Sequence, residues 1–111
     1  MSKSSRGVLL VFVTAANRSE ALKISERAVR TKLAACGNVL PKIESVFRWK
    51  GKIERQQEVL VILKTTVRRY QALERMIKAA HSYQVPEIIA VSVVQGSRPY
   101  LDWVRRETTS N

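Results

Sequence analysis

Val8-Leu9-Leu10-Val11-Phe12-Val13-Thr14 is a run of β-branched, aliphatic and aromatic residues of strand length. Successive side chains of a strand point to opposite faces, so Val8, Leu10 and Phe12 share one face and Leu9, Val11 and Val13 the other. Neither face tolerates water, and the sheet built on this strand has to be covered on both sides.

Working outward, Asn17 followed three residues later by Glu20 has the form of a capping box and predicts a helix start. Ala21, Ile24 and Ala28, with Leu22, Val29 and Leu33, give that helix a wide apolar stripe, and Gly37 suits its end or a loose entry into the next strand. Asn38 to Trp49 reads as a long second strand. Pro41 cannot donate a ladder hydrogen bond and implies a bulge or an edge. Lys50-Gly51-Lys52 is a turn, and Ile53 to Thr65 resumes strand character after the polar Glu54-Arg55-Gln56-Gln57, so strands two and three form an antiparallel hairpin. Thr65 or Thr66 caps a second helix whose core face is Tyr70, Leu73, Ile77 and Ala80. A turn at Tyr83-Gln84-Val85 precedes Pro86, and Glu87 to Gln95 is a fourth strand. After Gly96, Ser97 or Arg98 caps a short helix to Glu107, with Pro99 at its first turn.

The order β-α-β-β-α-β plus a terminal helix predicts an α+β, ferredoxin-like sandwich. The division expected is a flexible segment at 1–7, one domain at 8–107 and a polar flexible tail at 108–111. Two main helices cover only one face of a four-stranded sheet, yet strands one, three and four are apolar on both. A second copy of the chain is the economical cover for the other face, because the patch would exceed what monomers tolerate.

The chain has 111 residues, enough for one core, and a composition that excludes disorder and collagen-like repeats. Cys36 is the only cysteine and cannot form an internal disulfide, which favours a reducing compartment. The longest apolar run falls short of the roughly 20 residues of a membrane-spanning helix, and no convincing cleavage site follows the basic leader, so a cytoplasmic setting without a membrane is expected. Twenty Lys and Arg against nine Asp and Glu give +11, which attracts nucleic acid non-specifically. The basic residues are spread along the chain, with pairs at Arg68-Arg69 and Arg105-Arg106, and no run of five like charges occurs.

No nucleophilic triad or glycine-rich phosphate loop is present: the four glycines are isolated. Single copies of His81 and Cys36 preclude a conventional zinc cluster within one chain. A metal site assembled across subunits would draw on His81, Glu87 and Cys36, since imidazole and thiolate suit copper or zinc. Taken singly, Cys36 is a small buried hydrophobe and His81 a helix-end residue near the last carbonyls. Trp49, Lys64, Tyr83, Glu87, Tyr100 and Trp103 stand at element ends, where aromatic walls and a few charges would line a ligand cleft or lock an intersubunit contact.

Leu33-Ala-Ala-Cys-Gly-Asn38, Ile43-Glu-Ser-Val-Phe-Arg-Trp-Lys-Gly-Lys-Ile-Glu54, Glu58-Val-Leu-Val-Ile-Leu-Lys-Thr65, His81-Ser-Tyr-Gln-Val-Pro-Glu-Ile-Ile-Ala90 and Gly96-Ser-Arg-Pro-Tyr-Leu-Asp-Trp103 occur in that order. Together they resemble the CutA divalent-cation tolerance family over nearly all of 8–107. The resemblance implies a ferredoxin-like homotrimer with bent hairpins pairing between neighbours, a link to copper and other divalent metals, and a shape similar to trimeric PII signalling proteins. His81, Tyr83, Pro86 and Glu87 match the family's motif around the second helix end, with Ser82 where proline is usual. Val13 and Ala80 stand where some members carry a cysteine and a second histidine, and Gly37 replaces a larger apolar residue.

The function expected is that of a non-enzymatic, metal- or ligand-responsive binding module. No cofactor is required, and copper or another divalent metal would bind weakly and with pH dependence through His81. The alternatives are a PII-like signalling or scaffold trimer taking a small anionic ligand or a protein partner in its intersubunit clefts, a basic RNA-binding module, and a catalyst using Glu87 and His81 as an acid–base pair.

Overall fold

A computed structural model of the chain describes residues 7–109. The elements in chain order are β1 (Val8–Ala15), α1 (Arg18–Arg30), β2 (Cys36–Trp49), β3 (Lys52–Thr66), α2 (Val67–Ala80), β4 (Ile88–Ser92) and α3 (Arg98–Glu107). The sheet is antiparallel in the order β2-β3-β1-β4, so β1 lies at its interior between β3 and β4. Residues 1–6 and 110–111, and with them most of the first end segment expected from the sequence and half of the last, lie outside the described residues. Thr108, at the head of the tail, is buried and donates its hydroxyl to the Val104 carbonyl at 2.9 Å.

Local chemistry explains most boundaries. The Asn17 side chain accepts from the Glu20 amide at 2.8 Å and starts α1. Glu20 reaches back one residue further than a capping box requires, taking the Ala16 amide at 3.0 Å. Helix α1 closes at Arg30, well before Gly37: the Thr31 hydroxyl donates to the Arg27 carbonyl at 2.7 Å, and Lys32 turns the chain with φ 63°. Gly37 instead lies inside β2. A Cβ there would stand 2.9 Å from Leu63 Cδ2 and 3.1 Å from Ser25 Cβ, so the glycine brings α1 close to the sheet instead of loosening it.

Pro41 marks a bulge. Pairing of β2 with β3 slips between Leu40 and Ile43, and Lys42 takes φ 60°. Beyond it an outer arm runs to the Trp49–Lys52 rung, closed by Lys50 and Gly51 at φ 52° and 80°, the two positive angles of a type I′ turn. The polar stretch 54–57 does not interrupt β3; it is paired throughout with 44–47. This arm gives the protomer its 44 Å long axis. Thr66 is the N-cap residue of α2 but makes no side-chain cap bond, while the Thr65 hydroxyl donates to the Leu33 carbonyl at 2.6 Å. Of the core face expected for α2, Leu73 and Ile77 are buried, Tyr70 is half-buried and Ala80 is exposed. Strand β4 has five residues, shorter than the Glu87–Gln95 expected.

The core fills one side of the sheet: Val11 and Val13 of β1 and Val59, Val61 and Leu63 of β3 pack against Ile24 and Ala28 of α1 and Leu73 and Ile77 of α2. The opposite side has only α3, whose Leu101 and Val104 cover Val8 and Ala35 at one end. Beyond α3, Phe12 stands between Ile62 and Ile89 across the sheet, next to Leu10, Leu60 and Val91. Ile89 is 55% exposed and Val91 47%. This is the face for which the sequence demanded a cover.

Candidate functional site

The residues singled out for chemistry fall into two groups at opposite ends of the sheet. At the α3 end, Cys36 and Lys64 are register partners on adjacent strands. The Lys64 ammonium donates to Asn38 Oδ1 and lies 3.9 Å from Cys36 Sγ. Helix α3 brings Tyr100 against Cys36, and burial together with that sulfur pushes the Tyr100 hydroxyl pKa up. Trp103 stacks obliquely on Tyr100 with ring centroids 5.6 Å apart. Of the six cleft residues expected together, Lys64, Tyr100 and Trp103 converge here, joined by Cys36 and by Asn38, which the sequence does not single out.

At the other end, four β1 residues further along, His81 follows α2 and is fully enclosed. Its Nε2–H donates to the Thr14 carbonyl at 2.7 Å, and its Nδ1 accepts the Tyr83 amide at 3.0 Å. These bonds define a neutral ring protonated on Nε2, with both nitrogens engaged. Tyr83 packs on the imidazole with centroids 4.7 Å apart and donates its hydroxyl to Glu58 Oε2 at 2.7 Å. Burial and the adjoining Glu58 carboxylate push the Tyr83 pKa far up. Glu20 closes the group, accepting the Ser82 amide at 2.7 Å with its Oε2 3.8 Å from His81 Nδ1. Burial acts to raise the Glu20 pKa, but the Ala16 and Ser82 donors hold it below the usual carboxylate value.

Trp49 stands apart from both groups, 43% exposed beside the hairpin turn, and Glu87 is exposed just before β4. The six cleft residues thus do not enclose one cavity within a protomer. Neither do His81, Glu87 and Cys36 form a metal centre: among the described residues no group of three His, Cys, Asp or Glu side chains is placed to hold an ion. The donor set of one chain, with its only imidazole committed at both nitrogens, does not fit a resident metal. The sequence shows Glu20 only as a capping-box residue and gives Glu58 no role, because their partners here, Ser82 and Tyr83, lie 62 and 25 residues away. Asn38 had a visible signal in its position two residues after Cys36 on the same strand face.

The arrangement has clear relatives. The family model described as CutA1 divalent ion tolerance protein matches residues 9–107. The chain belongs to this family. A human relative named Protein CutA is 45% identical over 103 residues, 93% of this chain and 58% of its own length. The Divalent-cation tolerance protein CutA of Thermus thermophilus is 39% identical across 89% of this chain and 96% of its own. The crystal structure of CutA1 from Oryza sativa superposes with a TM-score of 0.92 at 36% identity, covering 98% of this chain and all of that one. The chain spans less than two thirds of the human relative's length and nearly all of the bacterial one's. The family assignment accounts for the antiparallel four-stranded sheet with three helices. No helix among the described residues is long and apolar enough to cross a membrane.

Proposed function

We propose that the chain acts as a non-enzymatic homotrimer in the cytoplasmic response to divalent cations, binding its ligand in clefts between protomers. The observation that carries this reading is the division of the site: Lys64, Tyr100 and Trp103 sit at one end of an uncovered sheet face, and Tyr83 and Glu87 sit at the other. Closure of that face by neighbouring copies is what brings one protomer's cationic, aromatic end to another's acidic end. The apolar row of Phe12, Ile62 and Ile89 is the surface such a neighbour would bury. Each cleft would offer Lys64 to an anionic group, aromatic walls, and Glu87 as an acceptor. Copper or another divalent ion is in this reading a weak, exchangeable ligand taken between subunits through Cys36 and Glu87. The single free cysteine suits a reducing compartment.

Light scattering on the wild type and on Ile89→Asp tests the assembly: three chain masses for the first and one for the second are expected. Calorimetric titration of the chelator-stripped protein with copper and zinc tests the metal. Binding that is lost in Cys36→Ser or Glu87→Gln, and in monomeric Ile89→Asp, supports the intersubunit site. Binding retained in all three variants refutes it.

A further inference from the structure

Two basic segments far apart in the sequence meet in the fold. Arg68 and Arg69 open α2, Arg105 lies in the last turn of α3, and all three line a recess of about 250 Å³ together with Thr66, Thr108 and Thr109. The recess is bounded by the starting turn of α2 and shares no lining residue with either group described above.

The start of α2 is only partly compensated: the Val67 amide donates to the Gly7 carbonyl at 2.8 Å, and nothing comparable among the described residues serves the two amides after it. Its first turn has no acidic side chain, and its N-cap Thr66 gives no side-chain bond to the amides behind it. The Arg68 and Arg69 amides, at the positions a cap would serve, therefore receive no acceptor from it, and the positive end of the helix dipole faces the recess. Thr66 supplies a second, independent observation. It is only 8% exposed, and its hydroxyl has no hydrogen-bond partner among the described residues. Ser25 Oγ is the one unpartnered side-chain oxygen there that is also sealed from solvent, so the Thr66 hydroxyl opens onto the recess it lines. A buried hydroxyl without a partner costs free energy, and one facing a recess is ready to donate.

The remaining walls favour the same occupant. The α3 carbonyls that would repel an anion are taken: Thr108 donates to Val104 O at 2.9 Å and Thr109 to Arg105 O at 2.8 Å. Arg69 is anchored by donation to the Lys32 carbonyl at 3.2 Å, and Arg105 by Asp102 at 3.1 Å, so both are held in place. The Arg68 guanidinium has no partner among the described residues. The volume lies below the roughly 300 Å³ at which pockets for larger organic ligands begin.

We propose that this recess binds a dianionic phosphoryl group, as inorganic phosphate or a small soluble phosphomonoester. Thr66 Oγ and the Arg68 and Arg69 amides would donate to its oxygens, and Arg68 would supply the mobile charge. Calorimetry with inorganic phosphate at constant ionic strength tests it, with wild type, Thr66→Val, Arg68→Gln and, as a charge-matched control elsewhere, Lys23→Gln. Saturable binding by the wild type is expected, about tenfold weaker or worse in Thr66→Val and Arg68→Gln, and changed less than about twofold in Lys23→Gln. Circular dichroism of each variant confirms the fold, and exposed Arg68 carries the test if Thr66→Val unfolds. No binding by the wild type, wild-type affinity in Arg68→Gln, or an equal loss in Lys23→Gln, which would mark bulk charge, overturns the proposal. Binding that appears only after removal of residues 110–111 also overturns it, because the chain's own end would then be the occupant.

Discussion

Replacing Glu20 should loosen the segment after α2, which carries Tyr83, while leaving every proposed cleft side chain in the sequence. The carboxylate holds two backbone donors from distant parts of the chain, Ala16 at 3.0 Å and Ser82 at 2.7 Å, and its side chain is only 13% exposed. A hydrogen bond to a charged group contributes about 1.5–3 kcal/mol. Allowing water to reach the freed amides in part, Glu20→Ala should cost about 2–4 kcal/mol. Glu20→Gln keeps one acceptor oxygen and should cost about half as much. Urea unfolding at fixed protein concentration reads this as a shift in midpoint at unchanged slope, the concentration being held because dissociation is linked to unfolding. The pH dependence supplies an independent check. The folded carboxyl titrates below the ordinary glutamate value, so its contribution is fully present above that value and is lost as pH falls through the lower, folded one. Part of the wild type's loss of stability on acidification should therefore be missing in Glu20→Gln. Equal midpoints at neutral pH, with superimposable acid dependence, would refute the reasoning.

Tyr83→Phe leaves Glu58, 7% exposed, without its 2.7 Å donor and should destabilise by about 1–3 kcal/mol; Glu58→Gln combined with it should recover part of the loss in a double-mutant cycle. All three tyrosines have raised pKa values, so tyrosinate absorbance should rise at higher pH in the folded protein than in urea, where it appears near pH 10. Stability from these groups is complete below about pH 10 and declines as pH climbs toward the folded values; coincident titration curves would contradict it. Gly37→Ala forces a methyl to 2.9 Å from Leu63 Cδ2 and should cost about 1–3 kcal/mol in thermal or urea unfolding, whereas an unchanged midpoint would mean that α1 yields freely.

The features legible in the sequence are those settled by neighbours along the chain. Apolar residues on both sides of β1, the Asn17 cap, the bulge at Pro41 and the turn at Lys50-Gly51 each follow from a few consecutive residues, and each is where the pattern put it. The end of α1 is hidden because Leu33 prolongs the stripe while the chain turns at Lys32; of the two places Gly37 suits, a helix end and a strand entry, it takes the second, where a packing distance requires it. At the candidate site, the Lys64, Tyr100 and Trp103 grouping was legible from element ends. The lock around His81 was not: its bonds run to Thr14, and those of its neighbours to Glu20 and Glu58, which only the closed sheet brings near. Nor does any spacing reveal that Arg68 and Arg105 share a wall.

The bulge at Pro41 also divides the hairpin into two parts with different freedom to change. Inward of it, each β2 residue up to Leu40 faces a β3 residue that is itself in the core or next to one that is; outward of it, Ile43 to Trp49 pair only with 52–58. Lengthening the outer arm by two residues in each strand would add rungs and keep every side chain on its side, whereas a single added residue would invert all those beyond it. Reach can therefore be adjusted in steps of two residues per strand, about 7 Å each, while the inner sheet keeps its register.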